Sequence, residues 1–157
     1  MKRLMLGVTL VLALAPLPAL AAAYVSLSID RKTLVMTDIR APRLTGDQAV
    51  TYEFVIYRTP VQIGKKLADH VINRIDIDCT AGKVRRFYSA TYDADSKLAA
   101  SEPLPKPWIK IAPGSKEGEL RNLGCNGVQP DGFVIGDKLL RLVAASYRAG
   151  QYDRYIH

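Results

Sequence analysis

Two histidines, two cysteines and a few closely spaced aspartates are the groups in this chain that could do chemistry. A hydrolytic mechanism needs a nucleophile, a base and a group that orients the base. The only candidate bases among the histidines are His70, which directly follows Asp69, and His157, the last residue. His70 falls at the entrance of a predicted strand and reads as a solvated loop histidine. Ser115 lies in Gly114-Ser115-Lys116-Glu117-Gly118, where it directly follows its glycine and so misses the centre of a G-x-S-x-G elbow. Asp76 and Asp78 are two apart on a strand and share a face. Such a pair can move protons or hold a cation, but on a half-buried antiparallel strand it reads as the solvent side. Asp93 and Asp95 lack the glycine and the closing glutamate of a calcium loop. No phosphate loop or dinucleotide glycine fingerprint is present. The expectation is a non-catalytic protein with no cofactor and no metal; a small hydrolase is the remote alternative.

The cysteines depend on the compartment, and the N-terminus speaks to that. Lys2 and Arg3 precede an uncharged apolar run from Leu4 to Ala15, the first two parts of a secretory signal. Pro16 and Pro18 break any helix. Ala19-Leu20-Ala21 and Ala21-Ala22-Ala23 both offer small residues to a signal peptidase, so the cut falls after Ala21 or Ala23. A retained anchor is the alternative, but the apolar run is too short for roughly 30 Å of hydrocarbon. Residues 1–23 are therefore expected to be a cleaved signal, with no transmembrane segment afterwards. The expected location is extracytoplasmic: periplasmic, secreted or on the cell surface. There an even cysteine count reads as a disulfide between Cys79 and Cys125. Two thiols without neighbouring histidines cannot fill a zinc shell.

The chain carries 22 Lys+Arg against 15 Asp+Glu. The signal holds two of the basic residues and no acidic one, which leaves 20 against 15, a mature surplus of +5. That balance favours anionic partners without deciding the fold. Arg31, Lys32, Lys65 and Lys66 fall in polar breaks, and Lys83 and Arg85 share one face of a predicted strand; these six are the candidate contacts. Arg86 falls in phase with Val84, Tyr88, Ala90 and Tyr92, and reads as an arginine snorkelling at the sheet margin. No RNA-binding aromatic signature accompanies the charge, so nucleic acid is not an expected partner.

The elements that must position these residues are mostly strands. Val25, Leu27 and Ile29 alternate with polar residues, Leu34-Val35-Met36 resumes extended structure, and the two read as a hairpin. Residues 40–48 read as a loop, Val50–Tyr57 as a strand ended by Thr59-Pro60, and 61–69 as a loop excursion with a helical turn. Further strands are predicted at 71–78, 83–92 and 97–100. Pro103, Pro105 and Pro107 mark a surface connector. Ser115 is a credible N-cap for a helix running to about Leu123. Residues 126–136 read as a loop, Asp137 caps a second helix with Leu139, Leu140, Val143 and Tyr147 at helical spacing, Gly150 ends it, and 151–157 is a frayed tail. Strands precede helices, so the class is α+β: an antiparallel sheet of about five to six strands, one or two C-terminal helices packed against it, and one disulfide.

Several of these pieces recur in order in a known family. Ser28-Ile29-Asp30-Arg31, Ile75-Asp76-Ile77-Asp78-Cys79, Arg86-Phe87-Tyr88, Tyr92-Asp93-Ala94-Asp95, Trp108-Ile109, Pro113-Gly114-Ser115 and Cys125 together resemble the surface-adhesin protein E-like family of small exported bacterial proteins. The resemblance implies an α+β domain over 24–125, with the disulfide tying its helix to the sheet; the C-terminal loop, helix and tail over 126–157 go beyond the family pattern. It also implies a binding protein for a host or envelope component, protein or anionic surface. A structural envelope protein with no specific ligand is the alternative.

Overall fold

The computed structural model describes residues 23–103, 105–136 and 139–156. The signal expected at 1–23 lies outside the described residues except for its last position, as does the cap assigned to Asp137. The alternating apolar segments form the long strands: β1 (Ala23–Ile29), β2 (Thr33–Asp38), β4 (Gln48–Ile63), β5 (Lys66–Asp78) and β6 (Lys83–Tyr92). Four shorter strands join them: β3 (Arg43–Thr45), β7 (Leu98–Pro103), β8 (Ile109–Lys110) and β9 (Val134–Gly136). All pair antiparallel, in the order β7-β6-β5-β4-β2-β1-β9, with β3 on β4 and β8 on β6.

The sheet thus has nine strands and not five to six, and each addition has a physical reason. β3 lies inside the predicted loop 40–48; its three residues are all exposed and carry no apolar alternation, and it forms because Gly46 at φ 57° turns it onto β4. β4 continues past Thr59-Pro60 to Ile63, and 61–69 is the end of a hairpin turning at Gly64-Lys65, not a loop excursion with a helical turn. Its register on β5 breaks between Ile56 and Val61, so Pro60, which has no N–H to donate, sits in the irregular stretch. β9 lies inside the predicted loop 126–136 and pairs with β1. Gly132 permits that return, because a Cβ there would stand 2.1 Å from the Ser26 carbonyl oxygen.

Helix α1 (Lys116–Asn126) begins as expected at Ser115, whose side chain accepts from the Gly118 N–H, and it runs past Leu123 to a left-handed Gly127. Leu120 packs with Ala49, Ile75, Ile77 and Val84. Gly124 lets the helix come close: a Cβ there would meet the Ala49 methyl at 3.1 Å. The next residue, Cys125, is bonded to Cys79.

Helix α2 (Leu140–Arg148) packs Val143 and Tyr147 against Tyr24, Leu34, Met36, Ile56 and Ile135. Ala49 and Ile56 are seven apart on a regularly paired strand, so the helices cover opposite faces. The tail expected to fray at 151–157 is ordered over its described residues, 151–156. It forms a 3-10 turn at Asp153–Tyr155, where Asp153 accepts from Arg58 on β4 at 2.8 Å. That bond holds the Asp153 carboxyl below its ordinary pKa and the Arg58 guanidinium above its own.

Candidate functional site

A bulge on β6 shapes the surface that the helices leave open. Ile75 faces Arg86 and the next residue of β5, Arg74, faces Tyr88, so Phe87 is the extra residue. A bulge changes the parity of a strand. Arg85, Phe87 and Tyr88 therefore gather on the face that carries α2, at the end away from that helix. Arg86 stays in phase with Val84 but not with Tyr88, Ala90 and Tyr92, contrary to the expected alternation, and it is exposed.

Asp76 organises the cluster. Its Oδ1 accepts from Arg74 Nε at 3.1 Å and its Oδ2 from Arg85 Nε and an Arg85 terminal amine at 3.2 and 3.1 Å. The Asp76 side chain is only 5% exposed, which corrects the solvent-side reading: two guanidiniums and neighbouring rings cover it. Asp78 does lie at the margin, where its Oδ1 accepts from the Ala81 N–H at 2.7 Å and closes the turn into β6. The Arg74 guanidinium lies 4.3 Å from the Phe87 ring centroid, and that of Arg85 lies 5.3 Å from Phe87 and 4.5 Å from Trp108. Tyr52, Arg74 and Tyr88 stand directly opposite one another on β4, β5 and β6, and the two tyrosines are 38% and 37% exposed. Two positive charges share one carboxylate, so the surface keeps one net positive charge. Arginine, tyrosine and tryptophan are the residues that dominate binding hot spots, and here both guanidiniums are held before any partner arrives.

Of the six expected basic contacts, Arg85 belongs to this platform, and Lys83, exposed, is two residues away on the same strand. Arg31 and Lys32 are exposed in the β1–β2 turn. Asp30 closes that turn; burial opposes its ionisation, but the N–H groups of Thr33 and Lys32 outweigh it and hold its carboxyl below the ordinary range. Lys65 lies in the β4–β5 turn, and Lys66 opens β5 and donates to the Leu98 carbonyl at 2.8 Å. β5 runs between Lys66 and Asp78, the partner of Lys83, a span of about 40 Å. The six residues are thus spread over opposite ends of the sheet. Arg74, Phe87, Tyr52 and Tyr88 were not singled out by the sequence as contacts. The Arg74-x-Asp76 spacing on one face of a strand was the available signal for the first.

His70 sits within β5 and is half-buried, not solvated in a loop. Its Nδ1 is 3.1 Å from Asp69 Oδ2 and its ring stacks on Tyr92. Among the described residues no hydroxyl or thiol is in hydrogen-bond contact with it, so the pair has an orienting carboxylate but no placed nucleophile. A second polar chain lies on the α1 face: Lys116 reaches Glu53, Asn73 donates to Glu53 at 2.8 Å, and Ser89 donates to Asn73 at 2.8 Å. Glu53 and Asn73 are buried and mutually satisfied, a structural role. Among the described residues no group of three His, Cys, Asp or Glu could hold a metal ion, and no helix is long and apolar enough to cross a membrane.

Comparison with known proteins gives one match. The family model described as surface-adhesin protein E matches residues 24–126, from the start of β1 to the end of α1. No curated protein and no solved structure matches the chain.

Proposed function

Because the chain belongs to the surface-adhesin protein E family, we propose that it is an exported, non-catalytic binding protein that engages an acidic protein or envelope surface through the arginine–aromatic platform. The observation that carries this reading is the exposed row Tyr52–Arg74–Tyr88 beside Arg85 stacked on Trp108. Preorganised guanidiniums lose little rotamer freedom on meeting a carboxylate, which favours affinity. The family description supplies the adhesive context, and the basic surplus of the mature chain supplies long-range attraction. Lys83 extends the platform. Arg31, Lys32, Lys65 and Lys66 lie outside it and contribute to encounter.

The test is surface plasmon resonance of the mature protein over a panel of purified extracellular-matrix proteins and envelope fractions. For any ligand bound, Arg74→Ala and Trp108→Ala should each weaken affinity at least tenfold, and the Lys65→Glu, Lys66→Glu pair should act mainly on the association rate. Equal losses for the platform and turn variants would mean diffuse attraction with no site. That outcome would favour the structural-envelope alternative.

A further inference from the structure

A cavity of about 300 Å³ opens between α2 and the sheet, on the same face as the platform but at the other end of the strands. A volume of that size would hold on the order of ten waters and lies at the lower limit of small-molecule sites, so it is not a packing defect. Its floor is apolar: Phe54, Ile56 and Ile72 from the sheet, Leu140 and Ala144 from the helix. Its rim is polar: Asp69, His70, Ser96, Arg141 and Arg148.

The rim charges do not cancel. Arg148 is bound to the Asp69 carboxylate at 2.8 Å and to the Tyr57 carbonyl at 3.1 Å. The same carboxylate holds His70. Asp69 is therefore satisfied twice over, while Arg141 makes no ion pair among the described residues and stays exposed at the mouth. Ser96 sits opposite, at φ 60°, the one described non-glycine residue in the left-handed region. That backbone costs an L-residue about 1–2 kcal/mol, in a turn where glycine would be free of it, and the residue lines the cavity. Four of the lining residues come from α2, beyond the segment matched by the family model. The C-terminal addition thus builds one side of the cavity.

We propose that this cavity is a binding site for a small amphiphilic anion, a carboxylate on a short apolar body. The body rests on Phe54, Ile56, Ile72 and Ala144, and the carboxylate is met by Arg141 with Ser96 as a hydrogen-bond donor. The proposal is independent of the adhesive reading, because none of these residues belongs to the platform.

The experiment is calorimetric titration of octanoate and of 1-octanol into the mature protein. Octanoate should bind saturably with one-to-one stoichiometry and at least tenfold tighter than 1-octanol. Arg141→Glu, an exposed substitution that leaves the core untouched, should weaken octanoate at least tenfold and leave 1-octanol unchanged. Ala144→Leu should fill the cavity and abolish both. No octanoate binding at millimolar concentration, equal affinity for the two probes, or an Arg141→Glu variant that binds octanoate like the parent would each overturn the proposal.

Discussion

The Arg85 guanidinium lies 4.5 Å from the centroid of the Trp108 ring while the same group is bonded to Asp76. The contact ties the proline-marked connector to β6 and adds about 1 kcal/mol. Trp108 is the protein's only tryptophan, so its fluorescence reports on the platform directly. Asp76→Asn leaves two guanidiniums facing each other with no carboxylate between them. Both are partly exposed, so the loss falls below that of a fully buried pair, at about 2 kcal/mol. Urea unfolding should show that decrease together with a shifted Trp108 emission in the folded state. An unchanged midpoint would mean that the three side chains are not coupled.

The Cys79–Cys125 bond spans 46 positions and fastens α1 to the sheet. In the chain-entropy account, closing a loop of that length contributes about 4 kcal/mol. A Cys79→Ala, Cys125→Ala variant should lose that much in urea unfolding, through the greater freedom of its unfolded chain. Thiol labelling of the unfolded, unreduced protein should find no free cysteine.

Burial, with the nearby Asp30 carboxylate, pushes the Tyr147 hydroxyl up to about 12. The folded state therefore favours the neutral phenol, which donates to the Asp30 carbonyl at 2.8 Å. The stability from this preference is complete below the unfolded value of 10 and is lost as pH rises through about 12. At pH 8, Tyr147→Phe should cost about 1 kcal/mol for the missing hydrogen bond. The gap between the two proteins should close above pH 10. A gap that stays constant between pH 8 and 11.5 would contradict the assignment.

Ala23 opens β1: it is buried, faces Gly136, and its carbonyl accepts from the Ile39 N–H at 2.9 Å. A cut after Ala23 would delete that residue, whereas a cut after Ala21 keeps β1 whole. Mass spectrometry of the exported protein should find Ala22 at the N-terminus, and a terminus at Tyr24 would sink the prediction.

What could be read from the sequence follows the range of the interactions involved. Ile75 and Ile77 announce their strand because a period-two apolar face is written into neighbouring residues; Val25, Leu27 and Ile29 announce theirs by the same alternation, although a bulge between Ser26 and Ser28 turns Ile29 to the other face. Ser115 announces its helix for the same reason, since a cap acts over three positions. β9 could not be read this way: its partner is β1, and only the pairing of Tyr24 with Ile135 makes a strand of it. The bulge at Phe87 defeated the alternation rule within a single strand, and with it the expected phase of Arg86 and Tyr88. The platform was hidden for a related reason. Arg85 was visible as a surface cation, but its setting needed Asp76 to be buried and Trp108, which stacks on Arg85, to arrive from beyond the proline-marked connector. Arg31, Lys32 and Lys65 are turn residues and Lys66 opens β5, all at one end of the sheet, whereas Lys83 and Arg85 lie towards the other, so the six do not meet.

The pairing of β1 with β9 also sets the order of events in the life of the chain. The first strand lies between β2 and a segment near the opposite terminus, and the Tyr147 bond to Asp30 bridges 117 positions. Contacts that remote form late, because the entropy of closing the intervening loop must be met before they give anything back. A chain still emerging from the ribosome lacks its C-terminal segment, so Tyr24, Leu34 and Met36 have no partner from α2. The two ends of the polypeptide must both be present before the core between them can close.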